Sequence, residues 1–258
     1  MCATPAPIVA PQIFDQPYER YTAADHSVWA TLYARQTGLL QAHACDAFLR
    51  GVEVLRLPAD RVPNFETLNQ ALSQATGWRI VAVEGLIDDR DFFTLLASRQ
   101  FPVTWWLRAP DSLDYLEEPD MFHDLFGHVP MLTDPVFAAF VQRYGQLGLA
   151  AAGAAELSAL ARLYWFTVEF GLLRDASREG GVAIYGAGIA SSPGETRHSL
   201  SGVDVQHLPF DLREIVASAF RTDVFQNKYF VLEDFAQLFA TLESAWATTI
   251  AAGERLAA

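Results

Sequence analysis

Residues 115–130, YLEEPDMFHDLFGHVP, constrain the fold of this chain more than any other stretch. Acidic residues in its first half are typical of the first turn of a helix, where negative charge interacts favourably with the helix dipole. Gly127 can adopt the left-handed conformation that ends a helix, and Pro130 prevents the helix from resuming. The pattern therefore predicts a helix end, with His123 near that end and His128 just beyond it.

The spacing of these two histidines decides whether they can bind one metal ion. Because an ideal α-helix has about 3.6 residues per turn, side chains five positions apart point about 140° away from each other. His123 and His128 can therefore converge only if the helix stops at Gly127. The alternative interpretation is structural, with two half-buried histidines at the end of a helix.

A third candidate ligand, Glu169, lies in the apolar segment 162–173, RLYWFTVEFGLL. A carboxylate inside such a segment is costly to bury unless it is paired or bound to a metal ion. Two histidines and one carboxylate leave half of an octahedron open, which is the arrangement of non-haem Fe(II) oxygenases. The three residues together predict a metal site.

Composition limits the classes of protein to which the chain can belong. Its 258 residues, 51% of them hydrophobic, suffice for one large domain with a substantial core. A net charge of −13 favours solubility and argues against nucleic acid and anionic membranes as partners. No apolar run is long enough for a membrane span, and the N-terminus lacks the basic region of a signal peptide. Two cysteines, Cys2 and Cys45, are too few for a disulfide framework, so we expect a cytoplasmic protein.

Periodicity and capping residues predict a mainly helical chain with a few short strands. Residues 1–20 are predicted to be an irregular arm, and residues 185–195 a glycine-rich loop that lets backbone approach a pocket closely. Short strands are predicted over residues 78–83, 101–107 and 228–232. Helices are predicted from Thr22 or Asp25 through Tyr33, from Leu39 to about Gly51, from Asn64 to Gly77, from Asp88 or Asp89 onward, from Asp134 through Tyr144, and over residues 156–174, 209–219 and 233–249.

Two further features have both a structural and a functional interpretation. Residues 85–92 form a strand–turn–helix corner, which could also offer free backbone N–H groups and the ring of Phe92 to a flat heterocycle. Arg108 could form a surface salt bridge, or it could bind a carboxylate through two parallel hydrogen bonds.

The predicted helix over residues 156–174 places Arg162, Trp165, Glu169 and Leu172 on one face by their spacing of three and four. Trp165 would therefore accompany Glu169 towards a metal ion. A tryptophan at this spacing is also common in a hydrophobic core.

Three motifs now make the chain recognisable: residues 118–130, EPDMFHDLFGHVP, residues 164–171, YWFTVEFG, and residues 185–188, YGAG. In this order and spacing they resemble the pterin-dependent aromatic amino acid hydroxylases, most closely the bacterial phenylalanine 4-monooxygenase branch. The resemblance extends from about Tyr21 to Leu242. It implies a mainly α fold with a few short β-strands (α+β), forming one catalytic domain over residues 21–258 after the N-terminal arm.

The resemblance also assigns roles to individual residues. The implied Fe(II) ligands are His123, His128 and Glu169. The implied tetrahydropterin site consists of Gly85, Ile87, Phe92, Tyr164 and Asp124, with Asp124 facing the pterin ring and, like Glu169, taking part in the chemistry. The implied substrate site consists of Arg108 at the amino-acid carboxylate, supported by Ser191, and of Trp165 and Phe170 beside the aromatic ring. Animal relatives carry glutamate at the position of Asp124 and threonine at that of Leu116.

The implied reaction is hydroxylation of L-phenylalanine to L-tyrosine by O₂ and a tetrahydropterin (tetrahydrobiopterin or a bacterial tetrahydropterin) at a non-haem Fe(II) centre. The expected partners are small molecules only, without nucleic acid or membrane. Because the chain has no room for the regulatory domain and assembly helix of animal relatives, it is expected to be an unregulated monomer. The alternatives are the same chemistry on tryptophan or tyrosine, a zinc-dependent hydrolase, and a protein that binds an amino acid or pterin without turnover.

Overall fold

The computed structural model describes residues 12–114 and 118–250 of the chain. Its helices and strands are, in chain order, α1 (Ala23–His43), α2 (Asp46–Leu55), α3 (Phe65–Thr76), β1 (Arg79–Val83), α4 (Asp89–Ala97), β2 (Gln100–Thr104), α5 (Pro135–Ala150), α6 (Ala154–Tyr164), β3 (Leu172–Arg174), β4 (Val182–Ile184), α7 (Ala187–Ala190), α8 (Pro193–Ser201), β5 (Gln206–Pro209), α9 (Leu212–Ala217), β6 (Lys228–Leu232) and α10 (Phe235–Ala240). Three further segments are π-helical: Phe122–His128, Trp165–Glu169 and Thr241–Ala245. Short 3-10 turns cover Tyr18–Arg20, Val129–Thr133 and Glu179–Gly181.

The strands form two small sheets, which confirms the predicted mainly α fold with a few short strands. β1 and β2 make a parallel pair in which Ile80 lies opposite Phe101. The second sheet has the order β4-β3-β6-β5. Within it β3 is antiparallel to β4, whereas β6 runs parallel to both of its neighbours. Helices pack against both sheets, α3 and α4 against the first and α1 and α10 against the second.

Side-chain caps explain where several helices begin. Asn64 accepts a hydrogen bond from the backbone N–H of Thr67 at the start of α3, and Gly77 ends that helix with a φ of 74°. Asp88 accepts one from the N–H of Asp91 at the start of α4. These predicted helix ends are confirmed. They could be predicted because each depends on contacts within one turn of the helix.

The predicted division between the first two helices is wrong. α1 runs through Gly38 to His43, and α2 passes through Gly51 to Leu55. The chain is instead interrupted where the N–H of Cys45 donates to the carbonyl of Ile184 at 2.8 Å. Gly51 serves close packing, because a Cβ atom there would lie 2.1 Å from the carbonyl oxygen of Pro130.

The predicted helix over residues 156–174 is also shorter than expected. α6 ends at Tyr164, a π-helical segment follows, and Leu172 belongs to β3, where it pairs with Ile184 and Val231. Leu172 therefore does not share a helical face with Trp165 and Glu169. The short strand depends on partners distant in sequence, which local periodicity does not reveal.

The C-terminal third contains more regular structure than predicted. The expected loop over residues 185–195 contains α7 and the start of α8, and the helix expected over residues 209–219 is confined to α9 and preceded by β5. The strand predicted over residues 228–232 is confirmed as β6. The last predicted helix, residues 233–249, is present as α10, the π-helical segment that follows it and the helical residues 246–250.

The division into an arm over residues 1–20 and a catalytic domain over residues 21–258 stays a prediction, and residues 1–11, 115–117 (with Leu116) and 251–258 lie outside the described residues. Within the described part of the arm, the N–H of Phe14 donates to the carbonyl of Ala82 at 3.2 Å. This segment therefore lies against β1.

The hydrophobic core packs against the back of the histidine segment. Phe122 and Phe126 are fully buried and stack with ring centroids 4.8 Å apart, and Trp29 and Phe48 meet their edges. The core therefore fixes one side of the π-helical segment and leaves the other side for the site. Among residues 12–114 and 118–250, no helix is both long enough and apolar enough to cross a membrane.

Candidate functional site

The two histidines converge through a π-helix rather than through a helix end. Their Nε2 atoms lie 3.2 Å apart, on a π-helical segment that includes Gly127 and continues into a 3-10 turn. In a π-helix each N–H bonds to the carbonyl five residues back, so residues five apart lie about one turn apart on the same side. The prediction that the helix stops at Gly127 is therefore wrong, although the histidines do meet. Gly127 instead permits close packing, since a Cβ atom there would lie 2.9 Å from the carbonyl oxygen of Ala187.

Glu169 joins the histidines from the end of the second π-helical segment. Its Oε1 lies 3.1 Å from Nε2 of His128, and its Oε2 lies 3.6 Å from Nε2 of His123. One ligand atom from each of the three residues lies within 4.8 Å of the others. We call these residues the His–Glu cluster. It is the donor set predicted from the sequence, and its geometry could hold one metal ion.

Burial and hydrogen bonding prepare the cluster for a cation. Ser191 donates its hydroxyl hydrogen to the carbonyl of Ala187 at 2.8 Å, so its oxygen accepts from Nδ1–H of His123 at 2.9 Å. This tautomer leaves Nε2 of His123 unprotonated and facing the cluster. Burial lowers the pKa of His123 and favours its neutral form. Burial alone would raise the pKa of Glu169, but the positive charge that His128 and His123 carry when protonated, together with the hydrogen bond from His128, outweighs burial and holds the pKa of that carboxyl below its usual value.

Ser191 was assigned to the substrate carboxylate by the resemblance, but its hydroxyl contacts here are to His123 and to the backbone of α7. A serine 68 residues from the histidine gives no local signal of this contact. The fold alone brings the two together.

Arg108 forms a buried ion pair with Asp120, a partner that the sequence analysis missed. Its Nε and Nη2 donate to the two carboxylate oxygens of Asp120, each at 2.8 Å. Nη1 donates to the carbonyl of Leu113 at 3.4 Å, so among the residues that the structure describes each terminal nitrogen keeps one N–H for another ligand. Asp120 also accepts the backbone N–H of His123 at 3.0 Å, so it connects the arginine to the His–Glu cluster. Its position three residues before His123, as in a helix cap, is the signal that could have identified it.

Asp124 lies beside the cluster with one carboxylate oxygen already engaged. The backbone N–H of Thr104, at the end of β2, donates to its Oδ2 at 2.8 Å. Burial raises the pKa of Asp124 above its usual value. The other oxygen is the one that could meet a second ligand.

Two of the predicted pterin residues, Phe92 and Tyr164, form a series of ring contacts that reaches His128 of the cluster. The ring of Phe92 meets that of Tyr164 edge-on at 5.6 Å, and Tyr164 lies 6.1 Å from the ring of His128. Gly85 and Ile87 lie on the loop between β1 and α4, just before the cap of the helix that carries Phe92. Phe92, Tyr164 and Ile87 are partly exposed, as a binding surface requires.

The predicted substrate-ring residues form part of a larger aromatic surface. Trp165 lies 4.6 Å from Phe170 and stacks on Phe220 at 4.5 Å, with an interplanar angle of 18°. We call Trp165, Phe170 and Phe220 the aromatic wall. Sequence analysis missed Phe220 and also Gln226, whose side chain bonds to the Trp165 indole. Both lie more than fifty residues from Trp165, so no local pattern indicates them.

The glycine-rich stretch passes directly behind these groups, as predicted. A Cβ atom at Gly186 would lie 2.5 Å from the carbonyl oxygen of Glu169, and one at Gly188 would lie 2.7 Å from the ring of Phe170. Larger residues would displace the second π-helical segment. The glycines are therefore required by close backbone approach.

The sequence matches the family model described as biopterin-dependent aromatic amino acid hydroxylase over residues 14–253. The chain belongs to this family. Phenylalanine-4-hydroxylase of Chromobacterium violaceum is 55% identical over 224 residues, which cover 87% of this chain and 74% of that protein. The predicted resemblance, including that to the bacterial branch, is confirmed.

Solved structures of the C. violaceum hydroxylase share the fold of this family member. One contains iron(III) and the oxidised cofactor 7,8-dihydrobiopterin; it has a TM-score of 0.87 and 52% identity, and the match covers 92% of this chain and 84% of that one. Another contains iron and phenylalanine; it has a TM-score of 0.86 and 50% identity, with 92% and 85% of the two chains covered. The mainly α architecture is therefore that of a known hydroxylase catalytic domain.

Proposed function

We propose that the chain is a phenylalanine 4-monooxygenase, which hydroxylates L-phenylalanine to L-tyrosine with O₂ and a tetrahydropterin at a non-haem Fe(II) centre. The observation that carries this proposal is the convergence of His123, His128 and Glu169 within 4.8 Å, inside a chain of the biopterin-dependent family. The C. violaceum relative with bound iron and phenylalanine supports the choice of metal and substrate.

The donor set fits Fe(II), because two imidazoles and one carboxylate leave positions open. Fe(II) and the tetrahydropterin would supply the electrons that activate O₂ for ring hydroxylation. The chain contributes the ligand orientation: Ser191 holds the unprotonated Nε2 of His123 towards the cluster. Burial of the cluster, with the side chains of His128 and Glu169 5% and 13% exposed, limits the access of water.

The remaining residues bind and orient the two organic molecules. We assign the N–H groups of Arg108 that have no partner among residues 12–114 and 118–250 to the amino-acid carboxylate, and the aromatic wall to the substrate ring. We assign Phe92, Tyr164 and the loop with Gly85 and Ile87 to the pterin. Asp124 would contact the pterin through the oxygen that does not accept from Thr104. Such positioning supplies much of the rate enhancement when two substrates must meet.

Membership of a hydroxylase family argues against the two other classes considered. A zinc hydrolase usually carries its two histidines in the motif HExxH on a continuous helix, whereas residues 123–128, HDLFGH, have one more residue between the histidines and an aspartate after the first. The same chemistry on tryptophan or tyrosine stays an alternative, because an aromatic pocket discriminates modestly between similar rings.

The test is aerobic turnover by Fe(II)-loaded protein with a tetrahydropterin and each aromatic amino acid, with the products separated by chromatography. We expect tyrosine from phenylalanine, and we expect this activity to be lost when iron is chelated. 5-Hydroxytryptophan or dihydroxyphenylalanine as the main product would keep the chemistry and change the substrate. No hydroxylation of any of the three would contradict the proposal.

We also propose that the enzyme is a cytoplasmic monomer. Cys45, the cysteine within the described residues, is free and buried, which suits a reducing compartment. Light scattering during size-exclusion chromatography would test the monomer, and a dimer mass would refute it.

A further inference from the structure

Gln226 uses its whole side chain to hold Trp165 and the loop that leads to β6. Its Oε1 accepts the indole N–H of Trp165 at 3.1 Å. Its Nε2 donates to the carbonyls of Arg221 and Val224, at 2.8 and 3.0 Å. Because two carbonyls require the amino group on their side, the amide oxygen must face the indole. Gln226 is only 6% exposed, so water does not compete for these bonds.

The backbone of Gln226 is fixed as firmly as its side chain. Its N–H donates to Oε1 of Glu195 at 3.1 Å, and the same oxygen accepts the hydroxyl of Tyr229 at 2.5 Å. Its carbonyl lies 2.9 Å from Nε2 of His198. Helix α8 and strand β6 thereby determine where the amide oxygen lies. These contacts, rather than the orientation of Trp165, therefore set the position of the amide oxygen.

The indole of Trp165 has one hydrogen-bonding group, its N–H, and Gln226 is the partner of that group. Phe220 stacks on the same indole from the loop that Gln226 closes. An indole N–H left without a partner in this apolar setting costs more than the bond itself contributes, so the ring would rotate to regain one. Rotation would change the surface that Trp165 and Phe170 present beside the His–Glu cluster.

We propose that Gln226 is a positioning residue for the amino-acid substrate: it sets the rotation of the Trp165 indole and thereby the shape of the aromatic wall. The proposal rests on the proposed function, in which that wall receives the substrate ring. Gln226 itself touches neither the His–Glu cluster nor the predicted pterin residues in the contacts of the described chain.

The test introduces Gln226→Leu into the wild type and into the Trp165→Phe variant, and compares each product with its parent protein. Gln206→Leu is the matched control, because Gln206 is exposed at the start of the neighbouring strand β5. Each protein is loaded with Fe(II), and its iron content, Tm, KM for phenylalanine and KM for the tetrahydropterin are measured. Gln226→Leu removes the acceptor of the Trp165 indole N–H, whereas Gln206→Leu leaves that hydrogen bond in place.

We expect Gln226→Leu to raise the KM for phenylalanine by about three- to tenfold, the range of one hydrogen bond, with iron content and pterin KM unchanged. In the Trp165→Phe background, which lacks the indole N–H, the same substitution should change that KM by less than about twofold, since coupled residues are not additive. An unchanged phenylalanine KM in Gln226→Leu would overturn the proposal. An equal rise of that KM in both backgrounds would also overturn it, because the effect would then not depend on the indole N–H. A joint loss of iron content, pterin affinity and Tm would overturn it as well, because it indicates general destabilisation.

A second measurement separates this proposal from the proposed function. NMR spectra of ¹⁵N-labelled protein, with Zn(II) in place of iron, contain the indole N–H signal of Trp165, which is identified by its loss in Trp165→Phe. In Gln226→Leu that signal should shift and exchange faster with water, whether or not phenylalanine is the substrate. An unmoved signal refutes the positioning role, whereas a moved signal without phenylalanine hydroxylation refutes only the substrate.

Discussion

The His–Glu cluster and the aromatic wall each have one residue on the π-helical segment Trp165–Glu169, but they are held by different forces. Glu169, at the end of that segment, faces two histidines at 3.1 and 3.6 Å, and buried polar contacts fix the first histidine. Trp165, at the start of the segment, is held by ring stacking and one hydrogen bond from a distant loop. Charged, short-range contacts define a metal site, whereas adaptable apolar contacts define a substrate surface. Substitutions in the two regions should therefore have separable consequences.

The largest expected effect is in the cluster. Glu169→Ala removes the proposed carboxylate ligand, and we expect the affinity for Fe(II) to fall by more than about a hundredfold, beyond the effect of losing an outer partner of a ligand. Hydroxylation should be lost with it. Iron content after gel filtration measures the effect, and Glu53→Ala, at an exposed glutamate on α2, is the control. Undiminished iron in Glu169→Ala would mean that Glu169 is not a ligand.

Arg108 is connected to the cluster through Asp120, and substitution by lysine separates this ion pair from the proposed contact with the substrate. Arg108→Ala would leave Asp120 as a buried charge without its partner, which costs about 3–5 kcal/mol and obscures any effect on substrate binding. Arg108→Lys keeps the charge opposite Asp120 but loses the planar fork. We expect the KM for phenylalanine to rise by about ten- to a hundredfold while iron content is retained.

Steady-state kinetics with each substrate varied in turn would measure this effect. Arg61→Lys, in an exposed pair with Asp60, is the control. A rise in the pterin KM alone would place Arg108 outside the amino-acid site.

Ser191→Ala tests how far the cluster depends on its outer contacts. Without the hydroxyl, Nδ1–H of His123 loses its acceptor, and the imidazole is free to rotate or change tautomer. We expect Fe(II) affinity to fall by about tenfold, with little change in the KM for phenylalanine. Metal titration would measure the Fe(II) affinity, and Ser201→Ala, at an exposed serine on α8, is the control. A phenylalanine KM that rises while iron affinity stays constant would instead support the substrate role that the resemblance implies.

The smallest expected effect concerns the support of the aromatic wall. Burial raises the pKa of Glu195, and Tyr229, Gln226 and His198 are the groups that face it. Because the folded state binds this proton more tightly, the stability it contributes is present at low pH and is lost as pH rises through the raised pKa. Glu195→Gln keeps an acceptor for Gln226 and Tyr229 without the buried charge.

We therefore expect Glu195→Gln to raise the Tm by about 2–4 °C at pH 8, as a gain of about 1 kcal/mol would, and to have less effect at pH 5. Thermal unfolding of both proteins at the two pH values measures the difference. A lower Tm for the variant at pH 8 would mean that the ionised carboxylate gains more from its two hydrogen bonds than its burial costs.

Local signals in the sequence predicted the elements that depend on local contacts. Asn64 and Gly77 lie at the two ends of α3 in the structure, as expected, since a cap and a left-handed glycine act within one turn. The same holds for Asp88 at the start of α4. By contrast, β3, β4 and β5 were missed. Strands of three or four residues form because partner strands distant in the chain complete their hydrogen bonds.

The grouping of His123, His128 and Glu169 was predictable from residue chemistry, because two histidines and a carboxylate in an apolar segment match a known set of metal ligands. The manner of their convergence was not. A π-helix forms a poorer hydrogen-bonded backbone than an α-helix, and packing must compensate for it. Here the stacked rings of Phe122 and Phe126 and the contact of Gly127 with α7 stabilise the histidine segment. Composition and motif thus specified the chemistry of this protein, while long-range packing oriented His123 and His128 towards each other and brought Gln226 and Phe220 to Trp165.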